Sequence, residues 1–158
     1  MNVTVATPSV APVLRPRLGG RLGVIDAGAV ARAEAALKSL SGQFGQWLQD
    51  EIGKLTAARQ SVETAGWTPA TAEALYFRAH DLKGLGGTYE YPSVSRIAAS
   101  LCRLLDGPAG PSAPLSLVDD HIDAIQTVIR DEMRASDHPV GGVLAADLEA
   151  RVSAQLGL

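Results

Sequence analysis

Apolar residues recur at spacings of three and four along most of this chain, the pattern of helices that bury one face. Behind Asp26 as N-cap, Val30, Ala33, Leu37 and Leu40 predict a short, alanine-rich first helix. Ser41 and Gly42 interrupt that pattern. Phe44, Trp47, Leu48, Ile52, Leu55 and Val62 then line one face of a long helix that should end at residues 65–67, "AGW". Thr68 followed by Pro69 reads as an N-cap with proline in the first helical position, so the next helix begins at once and returns antiparallel.

That helix carries Ala72, Leu75, Ala79, Leu82, Leu85 and Tyr89 before Tyr91 and Pro92 close it. Another opens at Ser93 with Val94, Ile97, Ala98, Leu101, Leu104 and Leu105 on one face, and "DGPAGPSAP" at 106–114 stops it. Ser116 and Asp119 form a capping-box-like start to a helix marked by Ile122, Ile125, Val128, Ile129 and Met133. After the loop "SDHPVGG", the residues Leu144, Leu148, Val152 and Leu156 fit a last helix, and the spacing leaves open whether it packs or frays. No strand alternation and no repeat competes. The expected fold is all-α: an antiparallel up-and-down four-helix bundle with a short extra N-terminal helix and an undecided C-terminal one. Its divisions are a basic disordered leader over 1–24, a helical bundle over 25–135 and a C-terminal segment over 136–158.

Composition narrows the partners. The chain has 158 residues, 46% hydrophobic but only 4% aromatic, enough for one ordinary core of small and aliphatic side chains. A net charge of −3 and a pI near 5.5 oppose non-specific nucleic-acid binding, which needs a basic field. The single cysteine, Cys102, falls in an apolar helical pattern and suits a reducing compartment. Prolines among the first residues, and arginines placed after the apolar ones, do not make a signal peptide, and no apolar run is long enough to span a bilayer. A cytoplasmic, monomeric protein without membrane contact is expected. With no histidine pair at helical spacing and one cysteine, no metal site is expected either.

The run "AHDLKGLGGTY", residues 79–89, holds the candidate chemistry. At about 100° per residue, the apolar set from Ala72 to Tyr89 gathers on one side. Tyr76, Phe77, His80, Lys83, Gly84 and Gly87 gather on the other. Each glycine inside a helix costs about 1 kcal/mol relative to alanine. Gly86 points to the core side, where close packing accounts for it, whereas Gly84 and Gly87 lie on the water side and leave bare backbone beside His80. A neutral exposed imidazole is a competent nucleophile toward phosphorus. Phosphohistidine adds about two negative charges, and Lys83, three residues on, is placed to neutralise them. His121, beside Asp119, Asp120 and Asp123, reads as part of a charged face, and His138 as a loop residue.

"HDLKG" resembles the H-x-L-K-G signature of histidine-containing phosphotransfer domains of two-component phosphorelays. The resemblance covers residues 42–135. It implies that His80 is phosphorylated, that Lys83 supports the phosphoryl group, and that Gly84 and Gly87 make room for a receiver domain. From their place on the same face, Tyr76 and Phe77 are expected to add apolar contact there, or else to edge the core. It further implies a phosphocarrier without an ATP site or cofactor of its own, rather than an enzyme. Its partners would be response-regulator receiver domains, which bring the Mg²⁺, and an upstream histidine kinase. Glu90 departs from the family, which often has glycine ten residues after the histidine. Two other readings stand beside this one. His80-Asp81 matches the dipeptide of a kinase dimerisation hairpin, although no glycine-rich nucleotide loop follows it, and a helical adaptor would bind through the same patch without phosphorylation.

Overall fold

The computed structural model describes residues 26–106 and 110–158. Among these residues every regular element is helical. Helix α1 spans Ala27–Ala65, α2 Pro69–Thr88, α3 Pro92–Asp106, α4 Leu115–Arg130 and α5 Pro139–Leu156, with a 3₁₀ turn at Gly110–Ser112. The chain divides into a unit up to Ala35 and a compact unit Ala36–Leu158. The described part of the first is the opening of α1, where the Gly28 N–H donates to the Asp26 carboxylate at 3.0 Å, as an N-cap should. The basic leader expected over 1–24 lies outside the described residues.

Ser41 and Gly42 do not end a helix. The expected short helix and the long one after it are a single element, α1. One glycine costs about 1 kcal/mol, too little to stop a helix whose neighbours on both sides are good formers. Ser41 is also held: the Arg134 guanidinium donates to its carbonyl oxygen at 2.8 Å and to its hydroxyl. At the other end Gly66 has φ +78°, the left-handed conformation that closes a helix, and its N–H returns to the Val62 carbonyl at 2.8 Å. Thr68 then caps α2, exchanging hydrogen bonds with Thr71 at 2.9 and 3.1 Å, and Pro69 takes the first helical position.

One core serves the compact unit. Leu48, Ile52, Leu55 and Val62 enter it from α1, Leu75, Ala79 and Leu82 from α2, and Val94, Ile97, Leu101 and Leu104 from α3. Ile122, Ile125 and Val128 come from α4, and Ala145, Leu148 and Val152 from α5. Helix α3 is the common neighbour, packing on α2, α4 and α5. An Arg59–Asp119 pair, bidentate at 2.6 and 2.7 Å, ties α1 to α4.

Several expectations are corrected here. Phe44 and Trp47 were assigned by spacing to the core face of α1, but Trp47 is 39% exposed and both rings lean on Tyr89, at centroid distances of 5.2 and 5.4 Å. Ser116 makes no cap: Pro114 occupies that position without a side-chain bond, and Asp119 is engaged by Arg59 instead. The C-terminal segment packs as α5, and its loop is shorter than the pattern suggested, since the His138 ring accepts from the Gly141 N–H and Pro139 starts the helix. His121 is not on a charged surface but fully buried. Its Nδ1 lies 2.7 Å from the Leu117 carbonyl and its Nε2 3.1 Å from the Ser100 hydroxyl. A carbonyl only accepts, so Nδ1 carries the hydrogen and Nε2 accepts from Ser100, which satisfies a neutral ring.

Candidate functional site

Helix α2 is the rod on which the candidate residues stand. Leu75, Ala79 and Leu82 bury one side of it, and His80, which follows Ala79 directly, is turned to solvent. No hydrogen bond or ion pair reaches the His80 imidazole from the described residues. Its nearest ring is that of Tyr76, 6.1 Å away between centroids and tilted by 34°. Tyr76 in turn meets Phe77 edge-on at 6.2 Å.

The six residues singled out from the sequence do not behave alike. His80, Lys83, Gly84, Gly87 and Phe77 are exposed, Phe77 by 52%. Tyr76 is half-buried and packs against the core, so it is the flank of the site rather than its surface. Burial pushes its phenol up from the ordinary value, with the charges of Asp106 and Cys102 adding to the rise. Lys83 makes no ion pair among the described residues. Its ammonium is felt across the α2–α3 contact by Cys102, whose thiol burial pushes up to about 11 while Lys83 acts in the opposite direction. Cys102 therefore stays an unreactive core thiol at neutral pH.

The glycines separate by environment. A Cβ on Gly86 would stand 2.5 Å from the Ser95 backbone nitrogen and 3.0 Å from the Tyr91 carbonyl oxygen, so α2 and α3 approach this closely only because residue 86 has no side chain. A Cβ on Gly84 would meet nothing within 4 Å, and one on Gly87 only the Ser95 hydroxyl at 3.8 Å. The Gly87 N–H donates to that hydroxyl at 2.8 Å. Packing therefore explains Gly86 and leaves Gly84 unexplained.

Beside His80, which helps to line it, a groove of about 400 Å³ opens between α1 and α2, bounded by Glu51, Lys54, Arg78, Asp81, Gly84 and Leu85. Its charges are arranged in pairs: Lys54 donates to Glu51 at 2.6 Å, and Arg78 stands 3.6 Å from Asp81. Sequence reasoning did not assign these four residues. Arg78 and Asp81 were legible as an i, i+3 pair on the same helix, but nothing in the spacing of α1 brings Glu51 and Lys54 to His80; only the tight Gly66–Thr68 connection pointed to the two helices being neighbours. Glu90, the departure from the phosphotransfer signature, has φ 65° and faces Arg134 at 3.3 Å in the turn after α2. It fastens that turn to the end of α4, away from the imidazole.

No group of three or more potential metal ligands occurs among the described residues, and no described helix is long and apolar enough to cross a membrane. No family model, curated protein or solved structure matches this chain.

Proposed function

We propose that the protein is a histidine phosphotransfer carrier of a two-component phosphorelay, with His80 as its phosphoacceptor. The observation that carries this reading is an exposed imidazole with no intramolecular partner, set mid-helix between an unpaired lysine and a glycine that packing does not require. A phosphoaspartate of a receiver domain would approach over Gly84 and Gly87. The imidazole nitrogen attacks phosphorus, the N–P bond forms as the acyl phosphate P–O bond breaks, the aspartate leaves as carboxylate, and the ring N–H proton passes to solvent. The reverse step returns the phosphoryl group to an aspartate. Lys83 balances the added charge, and Phe77 with the edge of Tyr76 supplies apolar contact to the visiting domain.

In this reading α1 to α4 form the antiparallel four-helix bundle of such carriers and α5 buttresses it. The receiver brings Mg²⁺, an upstream kinase supplies the phosphoryl group, and the cytoplasm is where they meet. The test is profiling against a panel of purified phosphorylated receivers. Wild-type protein should take up label that is lost in acid and kept in base, and His80→Gln should take up none. Labelling from ATP with no donor present would instead favour a kinase-derived hairpin, and receiver binding without labelling would favour an adaptor.

A further inference from the structure

A phosphoryl group on His80 would bring about two negative charges to the edge of the ring, and the space that His80 borders is the groove between α1 and α2. The described borders of that groove include two cations, Lys54 and Arg78, but not Lys83. Its volume of about 400 Å³ takes a phosphoryl group together with several waters, at roughly 30 Å³ for each water. Gly84 stands on the same border, where a side chain would narrow the space.

Lys54 comes from α1 and Arg78 from α2. Each has a carboxylate beside it, Lys54 at 2.6 Å from Glu51 and Arg78 at 3.6 Å from Asp81. Neither pairing uses up its cation. An ammonium has three N–H donors and a guanidinium five, so Lys54 can hold Glu51 and a phosphoryl oxygen at once. The cation side of each pair is also open to water, with 50% of the Lys54 side chain and 43% of the Arg78 side chain exposed, and such pairs are weak enough to rearrange around a dianion. Glu51 is the enclosed member of its pair, 18% exposed, and so keeps an otherwise mobile lysine at the groove.

We propose that Lys54, kept at the groove by Glu51 and assisted by Arg78, binds the phosphoryl group on His80, a contribution from a second helix beside that of Lys83. This rests on the phosphotransfer reading and adds to it a residue that the signature around the histidine does not contain.

Potassium phosphoramidate loads the full chain without any receiver. The imidazole attacks phosphorus, the donor P–N bond breaks, and the leaving nitrogen takes up the ring proton as ammonia. The phosphorus-31 resonance that His80→Gln lacks is then titrated in about 0.5 M salt, where charges more than about 4 Å apart are screened. A cation in contact favours the dianion and lowers the midpoint. Because Lys54→Gln alone would also leave Glu51 unpaired, the comparison is made in Glu51→Gln protein. There Lys54→Gln should raise the midpoint by about 0.5 pH unit, Lys54→Arg should not, and His80 should take label in every case. A midpoint that Lys54→Gln leaves unmoved, or that Lys54→Arg raises equally, overturns the inference. So does a His80 that phosphoramidate fails to load. Failure of every receiver to label His80 would instead count against the phosphotransfer reading and leave this titration standing.

Discussion

Gly84 and Gly86 are two residues apart on one helix and make opposite predictions. Gly84 meets open space, so Gly84→Ala should stabilise the protein by about 1 kcal/mol through helix propensity alone. Gly86→Ala should destabilise it by about 2 kcal/mol, because a methyl group would press on the Ser95 backbone, which cannot step aside as a flexible side chain would. Urea denaturation of both variants measures the contrast. If Gly84 is kept for docking, a bulky Gly84→Gln should fold normally and still lose phosphotransfer. Lys83→Ala belongs to the same scale: the side chain is exposed and unpaired, so stability should not change, while the transfer rate should fall about tenfold, roughly 1.4 kcal/mol of lost charge stabilisation. Stopped-flow transfer from a phosphorylated receiver reads that difference directly.

Between elements, a few polar contacts supplement the aliphatic core. His121 joins α4 to α3 through Ser100, and burial holds its pKa below the ordinary 6.5, assisted by the charge of Arg151. Because the folded state resists the proton that the unfolded chain accepts, stability should be constant above that ordinary value and fall as pH drops below it toward the depressed folded value. Urea midpoints taken between about pH 7.5 and about pH 5 should show the decline in wild-type protein and a flatter profile in His121→Leu. Asp119→Ala, which removes the carboxylate clamped by Arg59 between α1 and α4, should cost about 1 kcal/mol. The helices themselves were legible because period and caps are local: Thr68-Pro69 started α2 in the sequence and in the fold. What was not legible depended on partners distant in the chain. His121 looked charged from its aspartate neighbours, yet on a helix residues one or two apart point different ways, and the face that held it was the one turned to α3. The break expected at Ser41-Gly42 failed because Arg134, far along the chain, holds Ser41. Phe44 and Trp47 were apolar at helical spacing, which cannot say that their partner is the Tyr89 ring at the end of α2 rather than the aliphatic core.

At the scale of the molecule, the buried side of α2 is fixed by Leu75, Ala79 and Leu82, and that alone determines which side His80 shows to water. The position of the histidine was therefore readable from one helix, whereas the groove beside it, with Glu51 and Lys54 from α1, needed the assembled structure. Charge reversal at Lys54 should accordingly shift the choice among receivers while leaving the labelling of His80 by its best partner intact, a prediction for competition between two phosphorylated receivers. The central claim is that a lone, water-facing imidazole takes a phosphoryl group from an aspartate and holds it. Its most direct measurement is peptide mapping by mass spectrometry after incubation with a phosphorylated receiver and Mg²⁺. The expected result is a single phosphorylated peptide containing His80, appearing as the receiver loses its phosphate. The contradicting result is a receiver panel that loses phosphate only to water while residue 80 stays unmodified.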